Sequence, residues 1–203
     1  MVFARIFAVL LVVLLAPSAG RAADQAAETF ILKLADRALE LVTDNGRSMA
    51  ETRAKFDELL ADTFDMRGIG RFLLGRYWRT AAPDVREDYL KAFTENIVYT
   101  YTARFDEYSG QELKVDGSRE DGSFTFVTSR IIDPKGGPDV RVEWRLIKQG
   151  GSYKVADVVI EGVSMSVTQR QEYASVIQSN NGDVRALIKA LNGQMTRLKG
   201  SES

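Results

Sequence analysis

Asp157 and Glu161 stand four residues apart with Val159 between them, so a strand through this segment sets both carboxylates on one face. Paired carboxylates are the residues of this chain best suited to moving a proton. Arg141 and Arg145, on the segment before, offer the same carboxylates ion pairs, and exposed pairs of that kind are nearly neutral in energy. We therefore read the pair as structural. The 203 residues include no histidine and no cysteine. That removes the usual general base near neutral pH, the Ser-His-Asp and Cys-His hydrolases and the common zinc sites, so we expect no enzyme, no metal and no cofactor. Gly68, Gly70 and Gly75 have no strand before them, and Gly136-Gly137 and Gly150-Gly151 fall in turns, so no phosphate-binding glycine loop is present. One other segment has chemical character: residues 64–79 set Arg67, Arg71, Arg76 and Arg79 beside Phe72, Leu73, Leu74, Tyr77 and Trp78. Such a mixture suits a lipid phosphate at a pocket mouth, an acidic partner, or simply a solvated face.

The elements that must hold these residues are readable from hydrophobic period. Phe30, Ile31, Leu34, Ala35, Ala38, Leu41 and Val42 recur at steps of three and four, predicting a helix over 28–42 that Asn45-Gly46 ends. A second helix is expected over 48–63, and a short third one carries Ile69, Phe72 and Leu73 to a stop at Gly75. The longest should start at Pro83 and run towards Tyr108, with Val85, Tyr89, Phe93, Ile97, Tyr101 and Phe105 four apart. After Gly110 the period becomes two, giving strands at 113–115, 124–132, 140–148 and 153–161 joined by hairpin turns. Helices over 167–178 and 182–198 follow. Helices at both chain ends around an antiparallel four-stranded curved sheet make an α+β fold.

A charged residue, Arg5, precedes the apolar run 6–16, and the small residues 17–20 follow it, the layout of a secretory signal peptide cut after Ala22. We expect residues 1–22 to be that leader and 23–203 a single domain. Formal net charge is −1, and removal of Arg5 and Arg21 makes it −3, so a basic nucleic-acid footprint is absent.

The run R-F-L-L-G-R-Y-W-R at 71–79, with Ala82-Pro83 and a long helix after it, resembles the hallmark of the MlaC family, the toluene-tolerance auxiliary proteins. Residues 155–167, whose core reads D-x-x-x-E-G-V-S from Asp157 to Ser164, agree, and the order of these features covers nearly the whole mature chain. The resemblance implies a periplasmic phospholipid carrier. It would work between an outer-membrane lipoprotein-porin complex and an inner-membrane ABC transporter complex with MCE-domain subunits. The implied fold is an NTF2-like cone with added helices, and a hopanoid-associated branch of the family, HpnM, leaves a hopanoid open as the ligand. From the facing of the elements, the tail pocket is expected to be lined by Phe72, Phe93, Ile97, Tyr101, Phe105, Val142, Trp144, Leu146, Val158, Ile160, Met165 and Tyr173. Arg67, Arg71, Arg76 and Arg79 would meet a headgroup or a partner. Two rivals remain: an enzyme on the same cone, using a buried Asp157, Tyr99 or Tyr101, and an adaptor with a dry interior.

Overall fold

Asp24 opens the first helix of the computed structural model, which describes residues 24–44 and 46–200. The expected leader, Asn45 of the expected helix stop, and the tail beyond Gly200 lie outside these residues. Helix α1 (Gln25–Thr43) is capped by the Asp24 carboxylate, which accepts from the Ala27 backbone N–H. Helix α2 (Met49–Thr63) starts with a reciprocal capping box in which Ser48 and Glu51 satisfy each other's backbone N–H groups. Helix α3 (Met66–Leu74) begins at the Asp65 cap and stops at Gly75, whose φ of 53° and ψ of −120° suit a residue without Cβ. A separate short helix, α4 (Arg76–Thr80), turns the chain into α5 (Pro83–Thr102), and α6 (Met165–Gln178) and α7 (Val184–Gly200) close it.

The sheet has five strands, a correction to the four expected: β1 (Glu112–Asp121), β2 (Phe124–Ile132), β3 (Val140–Gln149), β4 (Ser152–Ile160) and β5 (Val163–Ser164), antiparallel and in sequence order. The added strand is two residues long, too short to carry a hydrophobic period. It exists because Glu161 and Gly162, at φ 49° and 80°, reverse the chain onto β4. Strand β1 outlasts its expected end at Val115 because a bulge at Gly117 lets the polar run 116–121 continue the ladder. The fourth strand's free edge is covered in two places. Val163–Ser164 pairs with its end, and Phe64 forms a parallel bridge with Val155, where the Asp65 N–H donates to the Val155 carbonyl at 3.0 Å.

The long helix ends at Thr102, six residues before the expected Tyr108, and a 3₁₀ turn at Phe105–Glu107 follows. A row of residues four apart drifts about 40° per step around a helix of 3.6 residues per turn. The row therefore starts buried at Val85, Tyr89 and Phe93, reaches half-burial at Ile97 and emerges at Tyr101, which is 53% exposed.

Two apolar cores result. One joins Leu73 and Leu74 of α3, Val85, Tyr89, Ala92 and Phe93 of α5, Tyr173 and Ile177 of α6, and Val184, Leu187 and Leu191 of α7. The other joins Ala27, Ile31, Leu34 and Leu41 of α1 and Leu59 of α2 to Val127, Leu146, Tyr153 and Val155 of the sheet. Asn96 of α5 donates from Nδ2 to the Leu191 carbonyl at 3.3 Å, tying α5 to α7 inside the first core.

The start of α1 is pinned to the sheet by polar contacts. The Tyr153 hydroxyl donates to the Asp24 carboxylate, Lys148 lies 3.6 Å from it, and the Asp24 N–H donates to Ser118 Oγ at 2.7 Å. The Tyr153 hydrogen bond, above all, holds the Asp24 carboxyl below its ordinary range. A depressed carboxylate stabilises the fold above its unfolded pKa, and the contribution is lost as pH falls through the folded value. Asp24→Asn should therefore cost about 1 kcal/mol near neutral pH. Thermal melts compared with wild type should show the gap closing progressively below about pH 4. A gap unchanged down to pH 2 would refute this assignment.

Candidate functional site

The two sequence signatures turn out to build turns and caps. In D-x-x-x-E-G-V-S, Asp157 is almost fully buried and accepts from Ser164 Oγ at 2.6 Å and from the Ser166 N–H at 3.0 Å, while Ser164 Oγ accepts from the Val167 N–H at 3.0 Å. Arg145 lies 3.7 Å from the same carboxylate. Glu161 accepts from the Arg141 backbone N–H, and its own N–H donates to the Arg141 carbonyl at 3.0 Å. Asp157 thus anchors the start of α6, and Glu161 holds the turn in front of it. Both carboxylates are engaged in backbone geometry, and Asp157 is buried, unlike the exposed ion pair with Arg141 and Arg145 that the sequence suggests. Tyr99 packs between the Arg53 guanidinium, 4.2 Å from its ring centre, and the Lys199 ammonium at 4.6 Å. Tyr101 points to water.

In R-F-L-L-G-R-Y-W-R, Gly75 lies under Arg170 of α6, where a Cβ would come within 2.7 Å of Nη2. The Arg170 guanidinium also covers the ring of Phe72, 4.9 Å from its centre. Arg67 makes two hydrogen bonds to Glu87, at 2.9 and 3.3 Å, and lies 5.8 Å from the Trp78 ring centre, with Arg86 at 5.5 Å. Arg76 donates to the Tyr77 hydroxyl at 2.9 Å. Arg67, Arg71, Arg76 and Arg79 are all exposed. Sequence reasoning missed Arg86 and Arg170; the latter joins this surface through the packing of α6 on α3 and leaves no local signal.

The twelve residues expected to line a tail pocket fall into four groups. Phe93 and Tyr173 belong to the helical core, with Ile97 packed against it. Leu146 belongs to the sheet core, with Trp144, Val158 and Phe105 packed against it. Val142 and Ile160 continue the covered face of the sheet, where Val127, Trp144 and Val158 are cross-strand neighbours, as are Ser129, Val142 and Ile160, and Met165 is the half-buried first residue of α6. Phe72, at 41% exposure, and Tyr101 lie at the surface. Polar groups interrupt the apolar face: buried Thr125 pairs with Leu146, and fully buried Ser129 accepts from Trp144 Nε1 at 2.9 Å and donates to the Val142 carbonyl at 3.3 Å.

Surface clefts among the described residues include two of note. One, of about 330 Å³, lies on the sheet's outer face beside Arg141, Glu143, Val159, Glu161 and Gly162. The other, of about 540 Å³, lies where the end of α1 and the start of α2 meet the 3₁₀ turn, lined by Leu41, Val42, Thr43, Asp44, Arg47, Met49, Thr52, Phe105, Asp106 and Tyr108. Leu41 and Phe105 carry this second cleft down to the sheet core, where Phe105 meets Phe56 edge to face at 5.5 Å. Of the twelve residues, Phe105 reaches this cleft, and the other eleven line neither. Among the described residues no cluster of acidic side chains could hold a metal, and no helix is long and apolar enough to cross a membrane.

Comparison with known proteins gives a consistent picture. The family model for MlaC protein matches residues 32–193. The chain is 23% identical over 144 residues to the toluene tolerance protein ttg2D of Pseudomonas putida, which spans 70% of this chain and 67% of that one. It is 28% identical over 118 residues to the intermembrane phospholipid transport system binding protein MlaC of Haemophilus influenzae, spanning 56% of this chain and 55% of the relative. Among solved structures, a phospholipid-binding protein from Ralstonia solanacearum, solved in complex with a phospholipid, superimposes with a TM-score of 0.74 at 22% identity, covering 85% of this chain and 98% of that one. At that identity the likeness establishes the fold.

Proposed function

The chain belongs to the MlaC protein family, and on that premise we propose that it is a non-catalytic, periplasmic phospholipid carrier. In this reading the leader 1–22 is removed, and the single domain 23–203 moves lipid between an outer-membrane lipoprotein-porin complex and an inner-membrane ABC transporter complex. The observation that carries it is the covered face of the sheet, a bulky apolar layer in which Trp144, Val158 and Ile160 are only half-buried. Side chains with that much apolar surface left unpacked are what an acyl chain can lie against. The relatives' names support the choice of ligand: one is a phospholipid transport binding protein, and the solved neighbour holds a phospholipid.

A diacyl lipid exposes about thirty tail methylenes, which at about 0.8 kcal/mol each would cost on the order of 20 kcal/mol in water. Free diffusion between membranes is therefore negligible. A carrier must offset most of that cost without exceeding it, so that the lipid can leave again. Of the residues expected to line the pocket, Phe93 and Tyr173 lie in one core and Leu146 in the other, so tails entering between sheet and helices must part layers that now touch.

The test is transfer of a fluorescent phospholipid from donor to acceptor vesicles. Transfer should rise in proportion to added mature protein, and a rate equal to the protein-free control would end the carrier reading. Arg67, Arg71, Arg76 and Arg79 are assigned to partner docking, because all four are exposed on α3 and α4 beside exposed Phe72 and half-buried Tyr77 and Trp78. Arg76→Glu should leave vesicle transfer unchanged and weaken capture by a purified partner complex at least tenfold. Unchanged partner affinity would remove this surface from the account.

A further inference from the structure

The 540 Å³ cleft between α1, α2 and the 3₁₀ turn has an unmet charge pattern. Arg47 lines it, with Nη2 shared between Asp44 at 3.2 Å and Glu40 at 3.5 Å, and with Nη1 shut off from water and lacking an acceptor among the described residues. A guanidinium donor in that state favours an oxyanion able to take two of its N–H groups. Asp106, which also lines the cleft, is exposed and has no ion pair among the described residues. The cleft thus asks for an anion at Arg47 and a cation at Asp106, and its floor is apolar, formed by Leu41 and Phe105 of the sheet core.

We propose that this cleft receives the headgroup of a zwitterionic aminophospholipid, with the phosphate at Arg47, the ammonium at Asp106 and the tails passing Leu41 and Phe105 into the sheet core. The proposal rests on the carrier reading and deepens it. A phospholipid whose headgroup lacks an ammonium brings its negative charge to a site already holding Asp44 and Asp106 against one arginine, and so binds less well. A lipid without phosphate leaves Arg47 unmet.

The experiment incubates delipidated mature protein with vesicles of equal phosphatidylethanolamine and phosphatidylglycerol, then reads the bound lipid by mass spectrometry. Wild type should take phosphatidylethanolamine over phosphatidylglycerol by at least fivefold. Asp106→Lys should reverse that ratio, and Arg47→Ala should lower total phospholipid at least fivefold while circular dichroism shows the fold intact. Normal uptake by both variants with an unchanged headgroup ratio would overturn the headgroup site and leave the carrier reading standing. No uptake by wild type would overturn both. Displacement of the lipid by water-soluble glycerophosphoethanolamine would overturn the placement of tails behind the headgroup, making the cleft a site for a soluble phosphodiester.

Discussion

Trp144→Arg should leave the protein with less than a tenth of the wild-type lipid after purification without detergent. Trp144 lies in the middle of the sheet's covered face, with Val127 and Val158 as cross-strand neighbours, and its indole N–H is spent on Ser129. A guanidinium there puts a charge in the path of an acyl chain, and an unpaired charge in an apolar layer costs several kcal/mol. Losing 1.4 kcal/mol of lipid affinity is already a tenfold change. Because Trp144 also packs against the sheet core, a second variant separates lipid loss from unfolding. Ile160→Asp changes a half-buried residue at the end of β4, where a carboxylate has water nearby, and should keep the circular dichroism of wild type while losing its lipid. Stoichiometric lipid on both folded variants in native mass spectrometry would sink the assignment of this face.

The largest effect on stability is expected at Tyr89. Its ring is fully buried, stacks on Phe93 at 5.9 Å and meets Tyr173 edge to face at 6.3 Å, and its hydroxyl donates to the Gly70 carbonyl at 3.2 Å. Burial raises the Tyr89 phenol well above its ordinary value, so it remains a hydrogen-bond donor across the working pH range. Gly70 allows this contact because α3 and α5 approach so closely that a Cβ at that position would come within 2.5 Å of Leu90. Tyr89→Ala should cost about 3–5 kcal/mol from lost packing and the cavity left behind, which lowers the melting temperature by roughly 10 °C in a domain of this size. Tyr89→Phe keeps the ring and should cost about 1–2 kcal/mol for the unpaired carbonyl. Equal losses in the two variants would show that the hydroxyl, not the ring, holds α3 against α5.

Period and turn chemistry made most of this fold legible, and the failures have physical causes. The strand at 140–148 was readable because large apolar groups alternate along it, and the one at 124–132 from its β-branched and aromatic residues between turn signals; both hold in the structure. The polar second half of β1 was hidden because its pairing is set by β2 across the bulge at Gly117. The two-residue β5 was hidden because a left-handed turn, not a hydrophobic pattern, creates it. The exposure of Tyr101 was missed by counting in fours on a helix that repeats every 3.6 residues. The four arginines in 67–79 were readable as a surface group, but Arg86 and Arg170 reach the same aromatics only through tertiary packing. Arg47 gave no signal at all, since its place in a cleft depends on the 3₁₀ turn nearly sixty residues later.

A phospholipid carrier should hold its ligand through purification. Mass spectrometry of an organic extract of the mature protein, purified without detergent, tests it most directly. About one phospholipid per chain is expected, whereas a polycyclic triterpenoid in its place, or no lipid from a folded sample, would show that phospholipid is not what this protein holds.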